Sequence, residues 1–287
     1  MKIDLHIHTR DGSDGNLPVD EIFEEADKRR LGFISITDHD SVSAQRKAVI
    51  LAEEYGMSYI TGVELNITFQ YPRSKPASLD FLGYQYDMKN TALLDKIQIM
   101  RERRESRALQ ILEKLNTEFD KENIQRLTQK DIKAIEAGVD GAFGRPHIAD
   151  YLIKKGIVKD RQEAFDKYLV KCDVPKYPLS LDEASRLVRD AGGKLVHAHP
   201  CEPEGTSLVS FSRDLNEQLT IIEKYMLEYI DGIECFHPRH DSATTAQLVD
   251  FARKHRLLVT GGSDCHQKPV LMGSIDIPDF IARQFYP

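Results

Sequence analysis

This chain has no tryptophan, only four cysteines and a formal net charge of -7 over its 287 residues. Each shortage excludes something. The cysteines, Cys172, Cys201, Cys235 and Cys265, are widely spaced and form no CxxC pair, so they offer neither a zinc knuckle nor a disulfide framework. They read as small buried side chains of a protein in a reducing compartment. The acidic balance argues against a broad nucleic-acid-binding surface, and the missing tryptophan against a long groove of stacked bases. A small phosphorylated substrate stays open, because local basic residues and bound cations can offset the mean charge. The first residues lack the charged-then-apolar order of a signal peptide, and no apolar run approaches the roughly 18 residues needed to cross a membrane. The expected location is the cytoplasm. No internal repeat or low-complexity segment is visible, and the length allows one large α/β domain or two smaller ones.

What is present begins at once. The opening "KIDLHIHTRDGSDG" holds His6, His8, Asp11 and Asp14. Ile3, Leu5 and Ile7 alternate with Asp4, His6 and His8, so as a strand the two histidines leave on one face, where neutral imidazoles suit a divalent transition metal. The plain alternative is a polar strand end followed by a solvated turn. Downstream, "LPVDEIFEEADKRRLGF" has helical spacing and "FISITDHD" reads as a buried strand, a unit repeated by helical "SAQRKAVILAEEYGM" and extended "SYITGVELNITF". Parallel strands with crossover helices are the expected result. Between residues 99 and 177 the pattern changes to "IMRERRESRALQILEKL", "TQKDIKAIEAG", "RPHIADYLIKKG" and "RQEAFDKYL", all helical, which predicts an inserted helical subdomain. Alternation then resumes through the strands "GKLVHAHP", "DGIECFHP" and "LLVTGGSDCH".

The informative fact is positional. Asp38 with His39, Glu64, His197 with His199, His237, and Asp264 with His266 each fall at or just past the end of an expected strand. In a parallel barrel those ends converge on one face. Any one of them reads equally as a capped turn or a hydrogen-bonded structural histidine, whereas five together point to a shared site. Gly261 and Gly262 are expected to let the backbone turn tightly before Asp264 and His266.

The set "DLHIHT", "ITDHD", "GVEL", "AHP" and "GGSDCH", in that order, resembles the polymerase and histidinol phosphatase (PHP) family of metal-dependent phosphoesterases over nearly the whole chain. The stretch "GRPHIADYLIKKGIVKDRQEAFDKYL" further resembles the branch acting on small phosphorylated nucleotides and sugars, which includes nucleotide bisphosphate phosphatases and a cyclic phosphodiesterase. The resemblance implies an α/β fold, a distorted (β/α)7 barrel, formed by residues 1–98 and 178–287, with residues 99–177 as the inserted substrate-specificity subdomain. It also implies two or three divalent ions, with Mn, Fe or Zn suited to mixed nitrogen and oxygen ligands and Mg admissible at one site.

Carried over by position, His6, His8, Glu64 and Asp264 would hold the first ion, Glu64 bridging to a second of which His199 would complete part. Asp14, His39 and His266 would hold a third, with Asp38 orienting His39 from behind. The His8-to-Asp14 spacing is one residue longer than the commoner family pattern, so Asp11 competes with Asp14. Asp80, in "SLDFLGY", stands where the family usually has histidine, and as a carboxylate it would still ligate. His197 is either a partner of His199 or its structural neighbour.

No Ser or Cys nucleophile motif appears, and paired ions would lower the pKa of shared water towards 7. Leaving-group protonation then falls to His199, His237 or His240. Substrate-phosphate binding falls to Arg145 and His147 in "FGRPH" and to Arg239 and His240 in "CFHPRH", unless Arg145 simply pairs with an acid. Arg101, Arg103, Arg104 and Arg107 read as a solvated helix face. The expected activity is hydrolysis, by a metal-bound hydroxide, of mono- or cyclic diesters of a small phosphorylated nucleotide or sugar. The alternatives are a 5′-to-3′ exonuclease on short oligonucleotides and a non-catalytic module of the same fold.

Overall fold

Alternation of Ile3, Leu5 and Ile7 with polar residues makes residues Lys2–Ile7 a strand, β1, and buries both of its faces. The structure, a computed structural model, describes residues 1–136, 145–174, 177–203, 206–266 and 270–286. It comprises two compact units, Met1–Ile97 with Pro178–Pro287, and Gln98–Tyr177.

In the first unit, helix α1 (Val19–Lys28) buries Val19, Ile22, Phe23 and Ala26, a stripe at three- and four-residue spacing. Asp20 and Glu21 in its first turn and Lys28 in its last complement the helix dipole. Strand β2 (Leu31–Ile36), helix α2 (Gln45–Tyr55), the short β3 (Ser58–Tyr59) and the long β4 (Gly62–Phe69) and β5 (Ala77–Tyr84) follow. Helix α3 (Thr91–Lys121) carries the chain into the second unit, with α4 (Gln129–Glu136), α5 (Arg145–Lys154), α6 (Arg161–Ala164) and a π-turn (Phe165–Leu169). The first unit resumes with α7 (Leu181–Asp190), β6 (Lys194–His197), α8 (Leu215–Tyr225), β7 (Gly232–Phe236), α9 (Ser242–His255) and β8 (Leu258–Gly261).

The strands form two sheets, β1-β2-β3, all parallel, and β4-β5-β6-β7-β8. Among the described residues they do not close into the expected (β/α)7 barrel. Single bridges, Ile7 to Cys265 and His39 to Glu64, are what link one sheet to the other. Nor is the sheet all parallel, since β5 runs antiparallel to both β4 and β6. The cause is local: residues 70–76 join β4 to β5 directly, and a parallel connection needs a crossover of about a dozen residues or more. Tyr84, fully buried on β5, donates its hydroxyl to the Leu5 carbonyl at 2.7 Å. Phe33, Phe81 and Leu195 are fully buried as well, each such side chain contributing about 1.5–3 kcal/mol on burial.

The helical unit has its own core. Ile111, Leu115 and Phe119 lie four residues apart on α3 and pack with Ile132, Leu152, Tyr168 and Leu169. Phe119 and Tyr168 meet edge to face at 5.2 Å. Arg107 departs from the solvated face read for it, because its Nε donates to Val174 O at 2.6 Å and its Nη2 reaches Asp173 at 3.1 Å. The end of "TQKDIKAIEAG" and the first two residues of "FGRPH" lie outside the described residues.

Candidate metal centre

Glu64 is the hub. It is fully buried, and its Oε2 lies 3.2 Å from His6 Nε2, 3.1 Å from His8 Nε2 and 3.1 Å from His39 Nδ1. Its Oε1 lies 3.1 Å from His199 Nε2. Asp264 is the second anchor, with Oδ1 3.3 Å from both His6 Nε2 and His8 Nε2, and Oδ2 3.5 Å from His237 Nε2. Asp14 lies 3.7 Å from His8, 3.6 Å from His266 and 4.0 Å from His39. The rings of His8 and His266 stack at 3.9 Å.

Local backbone explains why these groups meet. His6 and His8 share a strand face, and β2, β6, β7 and β8 end just before His39, His199, His237 and Asp264. Glu64 breaks the expected rule, as it is the third residue of β4 rather than its last. That strand runs on past the site because its far half pairs with β5, which in turn sets Asp80 opposite Asn66. His199 (φ 26°) and Asp264 (φ 51°) adopt left-handed backbone that side chains other than glycine rarely take. Gly261 and Gly262 do not make the tight turn expected of them. They allow close approach instead, since a Cβ on Gly262 would lie 2.3 Å from the backbone nitrogen of His6.

Three sets of donor atoms lie within 4.8 Å of one another: His6, His8, Glu64 and Asp264; His8, Asp14, His39 and His266; and His39, Glu64 and Asp80. Their chemistry fits a cation. His6 Nε2 and His8 Nε2 face each other at 3.1 Å, a contact that needs a proton or a metal ion between two lone pairs. Buried His199 Nδ1, His237 Nε2, Asp264 Oδ1 and His266 Nε2 have no hydrogen-bond partner. Burial disfavours a charged imidazole, yet the Asp264 and Glu64 carboxylates hold His8 at about 10, and Glu64 does the same for His199. The cluster therefore demands positive charge at neutral pH.

The remaining expected residues separate. Asp11 caps α1, accepting from Val19 N at 2.9 Å, while Asp14 joins the donor groups. Asp38, expected to orient His39, organises the loop after β1. It accepts from Thr9 N at 2.7 Å, Thr9 Oγ1 at 2.8 Å and Ser13 Oγ at 2.7 Å, and burial raises it to about 6. His197 stacks on Phe81 at 4.5 Å and is held neutral by burial, its pKa lowered to about 3. Alternation fails to place it beside His199 because β6 stops at His197 and the chain then turns. His240 engages Cys235 O through Nδ1 at 3.1 Å, and burial followed by His237 lowers it to about 4.

Asp80 is buried on β5, receiving Asn66 Nδ2 at 2.6 Å on one oxygen and the Thr206 hydroxyl on the other. Burial, then the Glu64 charge, raises it to about 6. Arg239 is paired with buried Glu202, itself 3.6 Å from His199 Nδ1. In the helical unit, Arg145 pairs with Asp173 at 3.0 Å, and His147 is half-buried on α5. Sequence reasoning missed Glu234, a fully buried carboxylate on β7 within 3.1 Å of His6 Nδ1. The available signal was a lone acid inside the apolar strand "GIECF".

Such a donor set, a shared carboxylate ringed by imidazoles and further carboxylates, suits the class of metal-dependent hydrolases. A family model described as the PHP domain matches residues 4–173, and the chain belongs to that family. It is similar to the 5′-3′ exoribonuclease Rnm of Escherichia coli, 27% identical over 92% of this chain and 85% of that one. It is equally similar to the phosphoribosyl 1,2-cyclic phosphate 1,2-diphosphodiesterase of Eggerthella lenta, 27% identical over 92% of this chain and 94% of that one. A Bifidobacterium adolescentis structure attributed to a metal-dependent phosphoesterase superposes with a TM-score of 0.72 at 29% identity, covering 98% of this chain and 94% of that one.

Proposed function

We propose that this protein hydrolyses phosphate esters, mono- or cyclic diesters, of a small phosphorylated nucleotide or sugar. The observation carrying this reading is the sharing of Glu64 between donor groups, which would hold neighbouring ions on one carboxylate. His6, His8 and Asp264 complete the first position, His39, His199 and Asp80 the second, and His8, Asp14, His39 and His266 the third. Divalent ions there, Mn, Fe or Zn with Mg admissible at one position, would neutralise the phosphoryl oxygens and acidify water. His237 carries the leaving-group proton at Nε2, since it borders both Asp264 and a pocket of about 440 Å³ lined by Phe236, Thr245, Val249 and Ile275. His240, on the same wall, is neutral and shapes that pocket.

Residues 1–98 and 178–287 then carry the chemistry, and 99–177 the specificity. Arg239 binds substrate phosphate by exchanging Glu202 for it, and Arg145 and His147 are the candidates from the helical unit. A cytoplasmic location accords with four widely spaced cysteines that form no CxxC pair, and no described helix is long and apolar enough to cross a membrane. The exoribonuclease relatives favour a second reading, removal of 5′-terminal nucleotides from short oligonucleotides. The deciding experiment is a phosphate- and nucleotide-release screen of Mn-reconstituted protein against nucleoside mono- and bisphosphates, cyclic phosphates and short oligonucleotides. Wild-type protein should carry at least two ions, and His8→Ala should lose metal and about a hundredfold or more of activity with an unchanged circular dichroism spectrum. Metal analysis finding no ions, with no activity recovered on adding Mn, Fe or Zn, overturns the reading.

A further inference from the structure

A carboxylate shut away from water costs several kcal/mol unless its charge is met and its oxygens are hydrogen-bonded. Glu234 is fully buried in the middle of β7 and belongs to none of the three donor groups. Its oxygens instead face two histidines from different parts of the chain. Oε1 and Oε2 lie 3.1 Å and 3.3 Å from His6 Nδ1, and Oε2 accepts the backbone N–H of His199 at 2.8 Å. His6 carries Nε2 towards His8, Glu64 and Asp264, and His199 carries Nε2 towards Glu64.

We propose that Glu234 is a positioning residue for both shared ions, acting through the ring of His6 and the backbone of His199. As acceptor at Nδ1 it keeps the His6 proton on that nitrogen, which leaves the Nε2 lone pair for the ion. As acceptor for His199 N–H it holds the φ 26° backbone that a non-glycine residue does not keep unaided. The two tasks draw on one rigid side chain anchored between β6 and β8, so the first and second positions are set relative to each other. Glutamine cannot replace it fully. With its amide oxygen kept on the His199 N–H, its NH₂ takes the place of Oε1 and opposes the His6 Nδ1–H donor.

This inference rests on the cluster being a metal centre, and the test separates the two. Mn and Zn binding is measured by calorimetry on wild-type, E234Q and E234D proteins stripped with chelator. E234Q should lose about 10–100-fold in affinity for the first ion, with E234D, charged but shorter, falling between. In the Zn-loaded wild-type protein, NMR should show a solvent-protected imidazole N–H assigned to His6 by its absence in His6→Ala, and E234Q should lose that protection. A purely structural role would lower the melting temperature without changing this proton. Wild-type affinity in E234Q, or an unaltered His6 signal, overturns the inference alone. Wild-type protein that takes up no metal overturns it together with the reading of the cluster. Should E234Q not fold, E234D carries both readouts with the same criteria.

Discussion

At the scale of single residues, charge is the controlling quantity. Glu64, Asp264, Asp14 and Asp80 bring four carboxylates into one region, and the protons of His8 and His199 answer Glu64 and Asp264 when no ion is bound. Asp80 is the member whose chemistry differs most from the family resemblance, because an anion stands where an imidazole is usual. Its two oxygens are already braced by Asn66 and Thr206, so it is pre-aimed rather than free to swing. Asp80→Ala should therefore lose one ion per chain by metal analysis while the first position stays filled. Asp80→His should keep the ion, and with one negative charge fewer the acidic limb of the pH–rate profile should move to lower pH. An Asp80→Ala protein with wild-type metal content rules out its role as a ligand.

At the scale of elements, the same stretch of chain both builds a helix and supplies a donor. The loop after β1 uses Asp11 to receive the first N–H of α1 and Asp14 to face His8, His39 and His266. Asp11→Ala should cost about 1 kcal/mol, the usual worth of a helix-capping side chain, and should leave metal content and activity intact. Asp14→Ala should do the reverse, losing metal with little change in melting temperature. Thermal melts paired with metal analysis distinguish the two, and metal loss in Asp11→Ala would exchange their roles. Spacing could not choose between these aspartates, since both lie in one polar turn. The choice comes from where the α1 stripe of Val19, Ile22 and Phe23 must pack, which brings Val19 N within reach of Asp11.

For the whole molecule, stability should depend on pH in a way that metal removes. In the metal-free protein His8 and His199 are raised from 6.5 to about 10, their carboxylate partners outweighing burial. A raised pKa means the folded state holds more protons than the unfolded one between pH 6.5 and 10. The stability these groups lend is complete below 6.5 and is lost as pH rises through 10. Metal-free protein should thus weaken by a few kcal/mol between pH 7 and 10. On the acid side two effects oppose each other. His197 and His240, lowered to about 3 and 4, favour higher pH, whereas Asp38 and Asp80, raised to about 6, favour lower pH. Denaturant melts with and without Zn should show a steep alkaline slope only in the chelated protein, because bound cations replace the protons. A slope unaffected by metal contradicts the placement of ions among these histidines.

Sequence by itself determined the alternation of strands and helices, the helical stretch beyond residue 98 and the residue types of the cluster, because these follow from local periodicity and short motifs. It also determined that His6 and His8 share a face, which strand period alone requires. Tertiary structure decided the rest. Whether the sheet closes depends on strand pairing across the chain, and β5 turned antiparallel because its connection to β4 is short. His197 went to Phe81 and His199 to Glu64 because the strand ended between them, which no periodicity reveals. Glu234 owes its place to β7 lying beside both β6 and β8, a long-range adjacency. A buried carboxylate finds its partners across the fold, and only the folded chain brings His6 within 3.1 Å of it.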